Sequence, residues 1–286
     1  MIYLNGEWQP LSDAKVSVLD RGFLFADGVY EVVPVYSRHA FRLDEHLQRL
    51  QTSLDSIRLA NPLSAAEWRE LVLQAIARQD FDDQQVYLQV TRGCGPNRDF
   101  PFPAPTKPST LIYPMPLITA SAELKAQGVS AISREDYRWL RCDIKSLALL
   151  ANVLLRNEAL VIGCAETILI RDGYLSEGAA SNIFVVKNGV LLCPPKSHLM
   201  LSGITYDVVL ELAAANTIPV EVRPVSDDEL RTADEIWMTS STREILPITR
   251  LDDQPVGAGV CGPLAQRMDA LYQSFKMNVL RQGGAS

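Results

Sequence analysis

One lysine in this chain stands out by its company. In 138-RWLRCDIKSLALLANVLLR-156, Lys145 is the only charged side chain between Asp143 and Arg156, and it sits among Ile144, Leu147, Leu149, Leu150, Val153, Leu154 and Leu155. A lysine buried without a partner loses hydration and its pKa falls, which leaves the neutral amine that Schiff-base chemistry requires. The commoner arrangement is a lysine whose stem packs on leucine while its head reaches water. Taken alone, this stretch favours that second arrangement.

Three other segments carry groups that could act with it. In 174-YLSEGAASNIFVV-186, Glu177 lies in a small-residue turn where backbone approaches a ligand closely, and Ser181-Asn182 follow. A carboxylate there suits a protonated ring nitrogen, although a solvated turn glutamate has the same signature. In 202-SGITYDVVLELAAAN-216, Ser202 and Gly203 precede an apolar-periodic helix. The free amides around Ile204 and Thr205 and the helix dipole would favour a phosphate. The hydroxyl run 239-TSSTRE-244, containing Ser241, is phosphate-friendly and equally explicable as turn and cap residues. Arg49, Arg92 and Arg98 offer guanidinium forks suited to phosphate or carboxylate. Any one of these is ordinary. Together they form the inventory of a pyridoxal phosphate site, in which a lysine holds the cofactor and an acid keeps its ring nitrogen protonated.

The elements that must position these groups are readable in outline. Asn5-Gly6 between short apolar runs marks a hairpin. Asp27-Gly28 turns into a β-rich run from Val29 to Tyr36. Leu43, Leu47, Leu50, Leu54 and Ile57 recur at helical spacing with Arg49 on the flank of the stripe. Ser64 and Glu67 form a capping box that opens a second helix. QVYLQVTRG and TLIYPM read as strands, and the proline-rich 96–108 as an irregular loop. A domain boundary is expected near 116–125, giving a smaller N-terminal α/β domain over 1–118 and a larger C-terminal domain over 119–286 that carries Lys145. In the second half a strand is expected at Val129–Ile132, a helix over roughly 147–162, strands in ETILIRDG, NIFVVKNGVLLC and EIWMTSST, and a closing helix in GPLAQRMDALYQSFKM. Strands and helices mix without regular βαβ alternation, which points to α+β.

Composition narrows the function further. A net charge of −7 argues against a nucleic-acid surface. The longest apolar runs are too short to span a bilayer, and the first residues, MIYLNGEWQP, lack the pattern of a signal peptide. The five cysteines form no CxxC pair and read as thiols of a reducing cytoplasm rather than a metal site. With only three histidines in the chain, acid–base work would fall to lysine, tyrosine or carboxylates.

The motifs LDRGFLFADGVYEVV, RWLRCDIKSLALLANVLL, YLSEGAASNIFVV, LSGIT and MTSSTRE occur in the order of the class IV (fold type IV) pyridoxal phosphate aminotransferases, and the chain most resembles the D-amino acid branch of that family. The resemblance implies a two-domain fold with pyridoxal 5′-phosphate between the domains, and a homodimer with the site near the subunit interface. It matches Lys145 to the Schiff-base lysine that also shuttles the proton, Glu177 to the acid on the pyridine nitrogen and Arg49 to the phosphate arginine. Ile204, Thr205 and Ser241 match the phosphate cup, and Leu201 matches the apolar residue on the cofactor ring. Tyr30 and Arg98 match part of the substrate carboxylate trap.

The implied reaction is ping-pong transfer from a D-amino acid such as D-alanine to a 2-oxo acid, pyruvate or 2-oxoglutarate. Branched-chain L-amino acid transaminase, aminodeoxychorismate lyase and (R)-amine transaminase are alternatives on the same scaffold. The chain departs from the D-amino acid pattern in the trap loop TRGCGPNRDFPFP, which has an extra residue and Phe100 where that branch carries histidine. Ala26 and Tyr206 also replace a common glycine and a common arginine.

Overall fold

The computed structural model describes residues 1–105 and 107–280. Contacts divide it into two compact units. The first is built from Met1–Ile118 with Ile144–Leu149, the second from Thr119–Asp143 with Leu150–Met277.

The first unit is an antiparallel sheet with helices on one face. Its strands are β1 (Ile2–Leu4), β2 (Glu7–Gln9), β3 (Gly28–Tyr36), β4 (His39–Ala40), β5 (Gln84–Thr91) and β6 (Ser109–Pro116). Among the described residues they lie in the order β2-β1-β6-β5-β3-β4. The β1–β2 hairpin turns at Asn5 and Gly6, both at positive φ, as an Asn-Gly turn requires. A short helix α1 (Arg21–Phe25) precedes β3, while α2 (Leu43–Ser56) and α3 (Ala65–Ala77) cover the sheet. The leucine stripe of α2 is buried as its spacing predicts, against Val29, Val33 and Val35 of β3. The Ser64–Glu67 capping box opens α3. Truncating fully buried Leu50 to alanine would cost about 2–5 kcal/mol.

The second unit centres on a mixed sheet. Its strands are β7 (Val129–Glu135), β8 (Glu166–Arg171), β9 (Tyr174–Gly178), β10 (Asn182–Lys187), β11 (Val190–Cys193), β12 (Val220–Val222), β13 (Glu235–Ser240), β14 (Glu244–Leu251) and β15 (Gln254–Pro255). The order among the described residues is β12-β11-β10-β13-β14-β7-β8-β9, with β15 on β14. Parallel pairs occur at β11–β12, β14–β7 and β7–β8. The helices are α4 (Ala122–Gln127), α5 (Leu150–Val161), α6 (Ile204–Ala215), α7 (Asp227–Arg231) and α8 (Pro263–Phe275). Antiparallel and mixed sheets with unalternated helices make the α+β class.

Three sequence expectations need correction. The helix expected over 147–162 begins only at Leu150, because the residues before it are tied to β3, Ser146 by a bridge to Val29 and Leu147 by a backbone hydrogen bond to Gly28. The turn-rich segment holding Glu177 contains a strand of its own, β9, paired with β8. Strand β14 went unseen because Pro247 interrupts its apolar run, although Pro247 sits opposite Trp237 in the ladder.

Candidate active site

Lys145 belongs by its contacts to the first unit. A bridge joins Ser146 to Val29. The Tyr30 amide donates to the Lys145 carbonyl at 3.0 Å, and the Leu147 amide donates to Gly28 O at 3.0 Å. On the other side the Lys145 amide donates to Ser53 Oγ of α2 at 3.3 Å. Gly28 makes this approach feasible, since a Cβ there would lie 2.6 Å from Val90 O and 2.8 Å from Leu147 Cδ1. The Lys145 side chain is half-buried, with Nζ 4.4 Å from the centroid of the Tyr30 ring. Among the described residues no carboxylate lies within ion-pair distance of it. The lysine is therefore held by its backbone and by an aromatic face, with its amine not engaged by an acid.

Next in sequence to Tyr30, Glu31 points to the opposite, buried face of β3, as strand alternation demands. Its carboxylate accepts from Arg49 Nε at 2.6 Å and Arg49 Nη2 at 2.8 Å, and pairs with His46 Nδ1 at 2.8 Å. Burial raises the Glu31 pKa, but the Arg49 charge and hydrogen bonds, with those of His46, outweigh it and hold the group well below the carboxylate range. Burial pushes the His46 pKa down, aided by the Arg49 and Lys145 charges against the opposing pull of Glu31. His46 is thus neutral and donates its Nδ1 hydrogen to the ionised Glu31. Sequence reading passed over Glu31 and His46. The available signal was a carboxylate on the apolar face of a strand whose other members are valines.

The proline loop is anchored by arginines. Asp27 accepts from Arg21 Nε at 2.8 Å and from Arg92 Nε at 2.9 Å. Arg21 also donates to the carbonyls of Asp99 at 2.6 Å and Phe100 at 3.1 Å. Arg92 donates to Ile57 O at 2.7 Å and Arg58 O at 3.1 Å and covers the Phe102 ring. Its fork, which the sequence offered for phosphate or carboxylate, is engaged in holding the loop. Arg98 is exposed, with its guanidinium carbon 5.0 Å from the Phe25 ring centroid. The Phe25 and Phe100 rings are 5.5 Å apart. Tyr30 stacks on Tyr87 at 5.6 Å, whereas the Arg98 guanidinium lies over Phe25.

In the second unit, Glu177 on β9 is buried. It accepts from Arg138 Nη1 at 2.6 Å and from the Leu201 amide at 3.1 Å, with Asn182 Nδ2 at 3.4 Å. Arg138, which sequence reading did not single out, is itself oriented by Asp136, with Nε and Nη2 each 2.9 Å from its oxygens. Burial pushes the Glu177 pKa up to about 7, beyond what Arg138 and the Leu201 amide offset. A hydrogen-bonded cation placed against this carboxylate would be strongly welcomed, because it would restore the charged form.

Helix α6 begins at Ile204 with Gly203 as N-cap and no side chain capping it. A Cβ on Gly203 would lie 2.1 Å from Asn182 Oδ1, so only glycine lets the helix start come this close to β10. Thr205 Oγ1 is buried with no hydrogen-bond partner, as is Thr239 Oγ1 at the end of β13. Ser241 follows in the turn between β13 and β14, where the Arg243 amide donates to Ser240 Oγ at 3.2 Å. Tyr206 stacks on Phe184 at 5.0 Å and donates its hydroxyl to Pro194 O at 2.8 Å, so the residue replacing a common arginine is a core residue here.

Comparison with known proteins adds the lineage. The family model described as Amino-transferase class IV matches residues 28–251. A D-alanine aminotransferase of Bacillus licheniformis is 40% identical over 273 residues, covering 96% of each chain. One from Listeria monocytogenes is 38% identical over 291 residues, covering 99% of this chain and 97% of its own. Among solved structures, a branched-chain amino acid aminotransferase of Escherichia coli superposes with a TM-score of 0.89 at 30% identity, covering 96% of this chain and 93% of the other.

Proposed function

The chain belongs to the class IV aminotransferases, which work with pyridoxal 5′-phosphate, and on that premise we propose that it moves the amino group of a D-amino acid such as D-alanine to a 2-oxo acid. The curated relatives named D-alanine aminotransferase support the donor class. The observation that carries the reading within the chain is Lys145, fixed against β3 with its amine over Tyr30 and paired with no acid among the described residues.

The residues present fit the cofactor. Partnerless buried hydroxyls on Thr205 and Thr239 and an uncapped helix start at Ile204 suit a phosphate. A buried carboxyl held at about 7 on Glu177 suits a ring nitrogen. When bound, the cofactor takes up the donor's amino group and its ring accepts the electron pair released at the α-carbon. Lys145 holds the cofactor and then carries at Nζ the proton that leaves the donor α-carbon, returning one to the acceptor in the second half of the ping-pong cycle. Glu177 would keep the ring nitrogen protonated, with the Arg138 charge favouring its ionised form against the pull of burial. Arg49, Ile204, Thr205 and Ser241 would hold the phosphate, Leu201 would pack against the cofactor, and Tyr30 and Arg98 would receive the substrate carboxylate.

A second copy of the chain completes the enzyme in this reading. Helix α5 presents Leu150, Val153, Leu154 and Val161 outward at 73%, 58%, 51% and 76% exposure, an apolar face that a homodimer would cover. Five free cysteines, three of them buried, suit a reducing cytoplasm.

The likeness to branched-chain enzymes supports a second reading, L-leucine as donor. A donor panel of D-alanine, D-glutamate, L-leucine, (R)-1-phenylethylamine and aminodeoxychorismate separates the two, with pyruvate and 2-oxoglutarate as acceptors. Turnover with D-alanine is expected. Turnover with L-leucine and none with either D-amino acid would reject the first reading.

A further inference from the structure

We propose that Glu31 and His46 are positioning residues that orient the Arg49 guanidinium for the cofactor phosphate. The proposal rests on the reading of Arg49 as the phosphate arginine. Glu31 grips one edge of that guanidinium, through Nε at 2.6 Å and Nη2 at 2.8 Å, which turns the Nη1 edge away from the carboxylate. His46 in turn holds Glu31 through Nδ1 at 2.8 Å, and both side chains are wholly buried. All three groups sit on rigid elements, Glu31 on β3 and the other two on α2. A free arginine loses much rotamer freedom when it binds. A fork clamped beforehand has already lost that freedom, so phosphate binding costs less.

The clamp has an opposing effect. The Glu31 charge also repels a phosphate dianion, so a carboxylate that served only as counter-charge would weaken phosphate binding. The bidentate geometry decides between the two: a charge-assisted pair of parallel hydrogen bonds fixes direction as well as charge. Orientation therefore outweighs repulsion.

The test uses the full-length chain stripped of cofactor and compares its dissociation constants for pyridoxal 5′-phosphate and for pyridoxal, which lacks the phosphate. Their ratio isolates the phosphate contacts, and a merely structural defect leaves it unchanged. Glu31→Gln is expected to lower the phosphate preference about tenfold while pyridoxal affinity holds, the scale of one charge-assisted hydrogen bond. His46→Leu should lower it less, and His46→Asn, which keeps a donor, should restore it. Should Glu31→Gln not fold, the His46 pair decides the matter alone. A wild-type ratio in Glu31→Gln and His46→Leu, with Arg49→Gln lowering it, would overturn this proposal and leave the role of Arg49 standing. An unchanged ratio in Arg49→Gln would overturn both. Tighter phosphate binding by Glu31→Gln would mark a counter-charge and also overturn it.

Discussion

Replacing Glu177 by glutamine in the cofactor-free chain should remove a pH dependence of stability that burial builds into this position. Its carboxyl sits at about 7 in the folded chain, against an ordinary value of 4.5. The folded state therefore binds more protons than the unfolded state between those values. The contribution of Glu177 is most favourable at the acid end and is lost as pH rises through about 7. Between pH 5.5 and 8 the loss amounts to roughly 2 kcal/mol at 1.36 kcal/mol per unit. Other groups act elsewhere or in the opposite sense. Glu244 is held at about 2 by Lys125 and Lys276 despite its burial, so its effect lies at lower pH. Buried His46, lowered from its usual value, adds stability as pH rises towards 6.5. Subtracting the glutamine variant cancels both. Urea unfolding of the two cofactor-free chains, compared at pH 5.5 and pH 8, reads the difference directly. A wild-type advantage that stays flat or grows with pH would refute the assignment of a raised Glu177 pKa.

Other perturbations follow from the same geometry. Ala26 closes α1 at φ +54, so Ala26→Gly should stabilise the chain by about 0.5–1 kcal/mol, read as a higher Tm. Glu244→Gln leaves the ammoniums of Lys125 and Lys276 buried without their shared carboxylate and should cost about 3–5 kcal/mol in urea unfolding. Arg138→Leu removes the cation that offsets part of the burial of Glu177, so the Glu177 carboxyl should titrate still higher, visible in its 13C NMR shift, and turnover should fall more steeply than in a conservative Arg138→Lys variant.

Local chemistry was legible in the sequence where it announces itself locally. The leucine stripe of α2, the Ser64–Glu67 box and the Asn5-Gly6 turn each depend on residues a few positions apart, and each formed as read. The helix that the sequence suggests over roughly 147–162 starts three residues late, at Leu150. The path of the residues before it depends on β3, more than a hundred residues earlier, and no local pattern encodes that pairing. The same limit hid the partners of the site residues. Arg49 stands out as a fork beside an apolar stripe, but its alignment by Glu31 is a contact across 18 positions. Glu177 is visible in its turn, whereas Arg138, which faces it across 39 positions, resembles any surface arginine.

The central claim is that Lys145 is the residue that holds the cofactor and hands it to a D-amino donor. Borohydride reduction of the loaded enzyme, followed by digestion and peptide mass spectrometry, tests it most directly. The account predicts a pyridoxyl group on the peptide carrying Lys145, and its loss when D-alanine is added before the reductant. A label on another lysine, such as Lys125, or a label on Lys145 that D-alanine leaves untouched and L-leucine removes, would contradict it.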